Sequence, residues 1–286
     1  MLGNIIVVGA GNVGFSLASI ANKTIVRDDW EEYLDGLKKR DLVPDDGIPD
    51  DEYDLIILAV HEADLVTMVP LLKEALMGDW KRRVFVHTNG IAGPEILYDL
   101  HAAGVSVGVL HPFQTFGADV LPRIKGIGWG VECDDVAWPV IFDFVSELNG
   151  NAYRFYKQTR QQRLCYHAAA VAASNLTYAS IDLARHLGIE ASISTVDFII
   201  PIVKQTLENA MDYMEEGDGL EEFPVTGPLV RGETAIVVEQ MNALPEKDRL
   251  SYALLSLALL ERIEANQINA NLELRAVLMK EINRKR

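Results

Sequence analysis

Short apolar runs alternate with amphipathic segments through the first half of the chain. The run at 4–8 ends at a glycine, and the run DLIILAV at 54–60 repeats the pattern. Continuous apolar runs of this length are typical of strands buried on both faces of a parallel sheet. The pattern predicts strands at 4–8, 23–27, 54–60, 83–87, 105–110, 126–131 and 151–155, and helices at 15–21, 61–77, 93–103 and 136–148. Alternation of this kind predicts a doubly wound parallel sheet.

The periodicity becomes helical in the second half. Apolar positions recur at helical spacing over 161–186, 194–213, 233–244 and 247 to about 280, with almost no strand signal. The last of these regions carries leucines on more than one side, which is typical of a helix buried in a bundle or against a dimer partner. We therefore predict an α/β Rossmann domain at 1–156, followed by an all-α domain at 157–286 that binds substrate and forms a homodimer through its helices.

A glycine-rich string lies between the first predicted strand and the first predicted helix. It reads Gly9, Ala10, Gly11, Asn12, Val13 and Gly14, which is a GxGxxG pattern. In that context the first glycine permits a tight turn, the second lets the backbone approach a pyrophosphate, and the third lets the helix pack on the strand. The amides of the helix N-terminus then hold the anion. We expect a dinucleotide site here, the alternative being a glycine turn that holds no ligand.

The end of the second strand bears on the choice of cofactor. Arg27 suits the 2′-phosphate of NADP, whereas Asp28 and Asp29 follow directly and could bind the ribose of NAD. The sequence favours NADP and leaves NAD open. Three more residues complete the predicted cofactor contacts: Val60 at the end of the third predicted strand, and Thr88 and Asn89 after the fourth.

Polar residues follow two of the predicted strands. His87 precedes Thr88 and Asn89, and His111 opens the run HPFQTF directly after the fifth strand. Because ligands of open α/β sheets bind beyond the carboxyl ends of the strands, these residues predict a histidine-lined cleft. Gln114 and Thr115 are the predicted substrate contacts. The alternative is a pair of turns capped by side-chain hydrogen bonds.

Two further clusters lie in the helical half. His167 and Ser174 are seven residues apart, so on a helix they project in nearly the same direction, with Asn175 on the adjoining edge. They are predicted to be catalytic, the alternative being a packed core helix with satisfied polar groups. Arg231, in the run TGPLVRG, predicts a clamp for a substrate carboxylate, the alternative being a turn with a salt bridge.

Charge and cysteine content exclude several classes of function. The 286 residues carry a formal charge of −16, so we expect no nucleic-acid groove and no binding to an anionic membrane. Cys133 and Cys165 lie far apart in apolar surroundings, which predicts two buried free thiols and no metal site. No apolar run reaches membrane-spanning length. A cytoplasmic protein with a small-molecule substrate is the expectation.

The order of five motifs resembles a known family. GAGNVG, HTNG, LHPFQTF, YHAAAVAASN and TGPLVRG occur here in the order found in Rossmann-like bacterial proteins with a DUF2520 C-terminal domain, and the resemblance spans 4–244. That family is held to be related to NADP-dependent pyrroline-5-carboxylate reductase, ketopantoate reductase and β-hydroxyacid dehydrogenases. The resemblance therefore implies a nicotinamide oxidoreductase whose helical domain often forms the dimer. It implies no particular substrate.

One departure from the related enzymes affects the mechanism. In β-hydroxyacid dehydrogenases a lysine four residues before an asparagine protonates the carbonyl oxygen as hydride arrives. Asn175 matches that asparagine, but Val171 occupies the lysine position. The expected donor is therefore His167, which lies two helical turns before Asn175 on nearly the same face, with His111 second. A nucleotide-binding sensor that keeps the fold without catalysis is the rival hypothesis.

Overall fold

The computed structural model describes residues 2–9, 11–18, 20–21, 23–25, 53–75, 83–117, 124–215, 224–266 and 271–284. Contacts between Cα atoms divide the chain into two compact units, Met1–Ser174 and Asn175–Arg286. This division falls further along the chain than the predicted domain boundary after residue 156. The helix that carries His167 therefore packs with the sheet-containing unit.

One sheet runs through the first unit, and its described part contains seven strands in the order β2-β1-β3-β4-β5-β6-β7. Strands β1 to β5 are parallel, β6 is antiparallel to β5, and β7 is parallel to β6. The predicted Rossmann sheet is confirmed, although its last two strands run against the others. The strands are β1 (Leu2–Val8), β2 (Lys23–Ile25), β3 (Tyr53–Leu58), β4 (Arg83–His87), β5 (Ser106–Phe113), β6 (Gly128–Cys133) and β7 (Asn151–Arg154).

Successive residues of the central strands supply two separate cores. Ile57 and Val86 belong to the core beneath one face of the sheet, whereas Ile56 and Phe85 belong to the core on the other. Since side chains of a strand alternate between faces, apolar residues at every position require cover on both sides. The helices of this unit are α1 (Asn12–Ala18), α2 (Glu62–Ala75), α3 (Tyr98–Ala102, preceded by the 3₁₀ turn Pro94–Leu97), α4 (Ala137–Glu147) and α5 (Arg160–Val171).

Strand β5 extends beyond its predicted end at residue 110. It continues to Phe113, so His111 lies within the strand opposite Gly130 of β6 rather than in a loop after it. The proline at position 112 suggests a strand end, since proline cannot donate to a ladder. Here the pairing of β5 with β4 stops at Val109, so Pro112 has a neighbouring strand only on the β6 side.

The described part of the second unit is helical. The predicted helix at 161–186 is interrupted by a π-helical segment at Ala172–Leu176, and the predicted region 247–280 is two helices rather than one. The Asn271 side chain accepts the Leu274 amide at 3.0 Å and begins the second of them. The helices are α6 (Thr177–Glu190), α7 (Ile200–Glu215), preceded by the π-helical segment Thr195–Ile199, α8 (Pro228–Arg231), α9 (Thr234–Ala243), α10 (Glu246–Asn266) and α11 (Leu272–Asn283).

The core of the second unit is small. Helices α9, α10 and α11 bury one apolar cluster, which consists of Val237, Met241, Ala253, Leu260, Leu274 and Leu278. In contrast, α7 contains no buried residue. Among the described helices, none combines the length and apolarity needed to cross a bilayer.

The turn between β1 and α1 requires glycine at position 9. Gly9 has φ +117°, and a Cβ there would overlap the carbonyl oxygen of Ala59 beyond β3. Gly11 differs, since a Cβ at that position would meet no atom within 4 Å. The same short loop therefore contains one glycine that the backbone needs and one that it does not.

This difference predicts the effect of two alanine substitutions on stability. Gly9→Ala adds left-handed strain and a backbone clash, and should lower the free energy of unfolding by about 2 kcal/mol or more. Gly11→Ala is the matched control and should change it by less than about 1 kcal/mol. Urea unfolding followed by circular dichroism measures both. Equal stability of the two variants would contradict the described turn.

Candidate functional site

The carboxyl ends of four parallel strands meet along one edge of the sheet. Val8, Leu58, His87 and Val109 are aligned across β1, β3, β4 and β5. The chain leaves β1 for β2 on one side and returns to β3 on the other, so this edge contains the switch point where open α/β sheets bind ligands. The predicted cofactor residues follow these strand ends, with the glycine loop after β1, Val60 after β3 and Thr88 after β4.

The described glycines of the loop combine two tightly packed positions with one open position. Gly9 and Gly14 pack tightly, because a Cβ on Gly14 would overlap the carbonyl of Gly9, while Gly11 is exposed with open space beside it. Asn12 begins α1, and its Nδ2 donates to the Phe116 carbonyl at 3.0 Å. Val13 packs against the core beneath the loop. The described residues therefore fit a dinucleotide phosphate at Gly11. Ala10 and Arg27 lie outside the described residues.

The turn after β4 is organised by a buried histidine. Nδ1 of His87 accepts the Asn89 amide at 3.2 Å, so the ring proton is on Nε2, which donates to the Gly93 carbonyl at 3.0 Å. Burial lowers the pKa of His87 to about 4, opposed by that hydrogen bond. The Asn89 side chain accepts the amides of Ile91 and Ala92. The side chains of His87 and Asn89 therefore cap this turn, as the alternative interpretation predicted. Cofactor contacts by Thr88 and Asn89 stay a prediction.

His111 and Tyr166 form a hydrogen-bonded pair beside this turn. Nδ1 of His111 lies 2.9 Å from the Tyr166 hydroxyl. Burial lowers the pKa of His111 to about 4, and the charges of His167 and His87 act in the same direction. Burial also raises the pKa of Tyr166 to about 12. Both side chains are therefore uncharged at neutral pH.

The structure brings His111 and His167 together. Their ring centroids are 6.0 Å apart and the planes are nearly perpendicular. His167 is exposed on α5, whereas His111 is largely covered by the sheet and by Tyr166. Two of the predicted catalytic residues are thus neighbours, one facing solvent and one facing the interior.

Arg163 holds α5 against the sheet. Its guanidinium forms two hydrogen bonds with Glu132 of β6, at 3.1 and 3.2 Å, and two with Glu95, at 2.7 and 3.2 Å. Arg163 and Glu132 are buried, whereas Glu95 is exposed. Tyr166 and His167 lie one helical turn beyond Arg163, so these ion pairs set their position over β5 and β6.

Ser174 and Asn175 occupy the π-helical segment that follows α5. The Ser174 hydroxyl donates to the Ala170 carbonyl at 2.7 Å, and Asn175 is exposed. The α-helical spacing that placed Ser174 on the face of His167 does not hold across a π segment, because each π turn contains more residues. Gln114 and Thr115 are exposed after β5, where the Gln114 side chain accepts the Thr115 amide. The roles of these four residues stay predictions.

Arg231 lies in the second unit, in the last turn of α8. It is exposed, and Nε and Nη2 each donate to Glu233 at 2.9 Å. The bidentate pair with Glu233 raises the pKa of Arg231. A carboxylate ligand would therefore have to share or displace Glu233.

The two cysteines were predicted to be buried free thiols, and the prediction is wrong for the burial of Cys165. Both thiols are free, but only Cys133 is half-buried, whereas Cys165 is exposed on α5. Burial raises the pKa of the Cys133 thiol to about 12. Within the described ranges, no group of histidine, cysteine and carboxylate side chains is arranged to hold a metal ion.

The family assignment follows from a comparison with family models. Residues 127–259 match the model described as domain of unknown function DUF2520. These residues are a DUF2520 domain. It begins at the start of β6 and ends within α10, so it contains Glu132, Arg163, Tyr166 and His167, whereas the glycine loop and His111 precede it. The resemblance to this family is therefore confirmed.

Solved structures share the fold over nearly the whole chain. BF3122 of Bacteroides fragilis, a candidate NADP oxidoreductase, has TM-score 0.61 and 20% identity, over 90% of this chain and 97% of its own. Protein TM1727 of Thermotoga maritima has TM-score 0.53 and 18% identity, over 93% and 100%. Plasmodium falciparum pyrroline carboxylate reductase with NADP bound has TM-score 0.51 and 10% identity, over 92% and 99%. At these identities the likeness establishes the fold. None of the curated proteins matches the sequence.

Sequence reasoning missed the residues of the DUF2520 domain that organise the site. Tyr166 and Arg163 do not occur at a spacing that is diagnostic of a functional site. Glu132 lies in an otherwise apolar strand. One signal was available in Gly130, because a glycine within a strand often marks a close approach. A Cβ on Gly130 would lie 2.5 Å from the Tyr166 hydroxyl.

The Arg163 ion pairs predict a strong effect of removing the cation. Arg163→Met leaves the Glu132 carboxylate buried without its partner, and should lower the free energy of unfolding by about 3 kcal/mol or more. Arg160→Met, at the exposed start of the same helix, is the control and should be nearly neutral.

A double variant separates charge from packing. If the unpaired carboxylate causes the loss, Arg163→Met combined with Glu132→Gln should recover part of it in the same urea unfolding measurement. A loss that Glu132→Gln leaves unchanged would contradict this explanation.

Proposed function

We propose that this chain is an NADP-dependent oxidoreductase that transfers hydride between the nicotinamide and a small carbonyl or imine compound bearing a carboxylate. The observation that carries the proposal is the glycine loop at the switch point of the sheet, with open space at Gly11. The named activities of the Bacteroides and Plasmodium proteins of the same fold support it. The neighbouring histidines beside the same edge, exposed His167 and largely covered His111, supply groups that can handle a proton.

The cofactor site consists of strand ends and the loop. Gly11, Asn12 and the start of α1 would hold the pyrophosphate, and Val60, Thr88 and Asn89 would border the rest of the cofactor. When bound, the nicotinamide supplies or accepts the hydride. We propose NADP rather than NAD only because residue 27 is an arginine, which suits the 2′-phosphate.

The substrate would lie between the cofactor and His111. His167 or His111 would move the proton, while Ser174, Asn175, Gln114 and Thr115 would orient the reacting group. Arg231 would bind the carboxylate by exchanging its partner Glu233. The rival hypothesis is a nucleotide-binding sensor, which is favoured by Val171 at the lysine position of related dehydrogenases.

NADPH binding tests the proposal. Titration of NADPH, followed by its fluorescence, should show saturable binding that is tighter than that of NADH. Gly11→Ala should weaken it at least tenfold, because the added methyl occupies the space that the pyrophosphate needs. Gly128→Ala is the control, since its Cβ would make only an ordinary contact with Phe113 at 3.9 Å.

Turnover then separates the two functional hypotheses. We expect NADPH oxidation with at least one member of a panel of 2-oxo acids and cyclic imines. Tight NADPH binding without turnover of any member would favour the sensor. If neither NADPH nor NADH bound at millimolar concentration, the glycine loop would be a turn without a ligand.

The helices of the second unit support a homodimer. No residue of α7 is buried, and this includes three large apolar side chains. Leu207, Met211 and Met214 are 42, 49 and 69% exposed. They follow each other at intervals of four and three residues and therefore share one helical face. Phe198, in the preceding π segment, is 59% exposed. Apolar surface of this extent is typical of a protein interface, and we propose that a second copy of the chain covers it.

The dimer predicts a charge-sensitive assembly. Sedimentation should give twice the chain mass, and Leu207→Glu combined with Met211→Glu should give the mass of one chain, because carboxylates would be buried in the interface. Gln205→Glu, on the opposite face of α7, is the control and should leave the dimer intact. A monomer at every concentration of the unmodified protein would refute the proposed interface.

A further inference from the structure

The Tyr166 hydroxyl has no role in the function proposed above, yet its position is closely defined. Its ring packs against Phe113 and Phe155, with centroid distances of 5.0 and 5.3 Å. The hydroxyl reaches His111 over Gly130, where any side chain would block it. A phenol held by packing in this way presents its oxygen in one fixed direction.

The relevant hydrogen bond joins the Tyr166 hydroxyl to Nδ1 of His111, with the two atoms 2.9 Å apart. Gly130 lies opposite His111 in the pairing of β5 with β6, and its backbone lowers the pKa of Tyr166, although burial raises that pKa more. A phenol that keeps its proton can donate it to an unprotonated Nδ1. An uncharged imidazole that accepts at Nδ1 carries its proton on Nε2.

Gly90 packs against the Nε2 end of the His111 ring. A Cβ on Gly90 would lie 2.6 Å from Nε2, so a side chain at that position would overlap the ring. Gly90 belongs to the turn after β4, and His111 lies two residues beyond Val109, which is aligned with His87. The Nε2 end of the ring therefore lies beside the turn after β4, at the edge of the sheet where the proposed cofactor site lies.

We propose that Tyr166 and His111 form a proton relay, in which His111 is the catalytic donor to the substrate and Tyr166 replaces the donated proton. The relay rests on the proposed oxidoreductase function and names the group that protonates its product. The substrate class is a neutral acceptor, a ketone or an imine, whose oxygen or nitrogen takes a proton as hydride arrives.

Atoms and charges balance in this step. A bound nicotinamide would supply the hydride that adds to the carbon of C=O or C=N, and the π electron pair would move to the oxygen or nitrogen. That atom takes the Nε2 proton, while Nδ1 takes the Tyr166 proton as its O–H bond breaks. The phenolate that results keeps the electron pair and is reprotonated by water.

The relay avoids a charged imidazole in a buried place. An imidazolium at His111 is disfavoured because burial lowers its pKa to about 4, and His167 and His87 add like charge when protonated. The Arg163 guanidinium lines the same small cavity, although Glu132 neutralises it. A tautomeric transfer through the ring needs no additional positive charge there.

A spectroscopic test does not depend on activity. In the ¹⁵N-histidine-labelled full chain at pH 7, the His111 resonances, assigned by their loss in His111→Gln, should show an unprotonated Nδ1 and a protonated Nε2. Tyr166→Phe should shift the Nδ1 resonance, because its hydrogen bond is lost. Tyr98→Phe, a tyrosine of the same unit that is 67% exposed, should leave it unchanged. A protonated Nδ1 in the unmodified protein would overturn the relay even if Tyr166→Phe failed to fold.

Kinetics test the transfer with a compound that the panel identifies. Tyr166→Phe should lower kcat about 100-fold with little change in KM or in NADPH affinity, because only the proton step is affected. In mixtures of H₂O and D₂O, kcat of the unmodified enzyme should vary with a curvature that indicates two protons in transfer, and Tyr166→Phe should give a straight line. A merely structural role of Tyr166 would leave this dependence unchanged.

The outcomes separate the relay from the proposed function. Unaltered kcat and curvature in Tyr166→Phe, beside turnover in the unmodified enzyme, would overturn the relay alone. Loss of turnover in His167→Gln but not in Tyr166→Phe would do the same and favour His167 as donor. Absence of NADPH binding or turnover in the unmodified protein would refute the proposed function, and the relay with it.

Discussion

The ion pairs of Arg163 with Glu132 and Glu95 are the constraint on which the rest of the site depends. They join three segments that are distant in sequence, namely the turn before α3, strand β6 and helix α5. A buried carboxylate is costly unless its partner is well placed, so the helix has little freedom to rotate or slide over the sheet. The consequence is that Tyr166 and His167 lie at fixed places above β5.

Burial then determines the protonation of the groups around that helix. His87 and His111 are uncharged at neutral pH, and Tyr166 keeps its proton. An uncharged imidazole has one donor and one acceptor nitrogen, and in His87 the Asn89 amide determines which is which. Glycines at 90 and 130 allow the close contacts, because a Cβ at either would meet the ring or the hydroxyl. The edge of the sheet thus has two parts of different chemistry, backbone amides suited to an anion and neutral side chains suited to a proton.

Several predictions differ from the structure for one reason. Hydrophobic periodicity indicates which residues are buried, but not which segments of the chain they contact. Strand β5 passes through Pro112 because β4 has already ended, which the sequence of β5 cannot indicate. Ser174 and His167 were related by α-helical spacing, but a π segment intervenes. The exposed position of Cys165 shows the same limit, since apolar neighbours in sequence do not determine which face of α5 is covered.

The sequence by itself determined the alternation of strands and helices, the parallel sheet and the glycine loop at its first turn. These are local properties, since apolar runs, glycines and their spacing act within a few residues. It placed His111 directly after the fifth strand, whereas in the structure His111 lies within that strand near its carboxyl end. Only the tertiary structure decided that Tyr166 is hydrogen-bonded to His111, that Arg163 neutralises Glu132, and that His87 shapes a turn. Each of these depends on contacts between segments far apart in the chain, where geometry and burial select the partner and fix its charge.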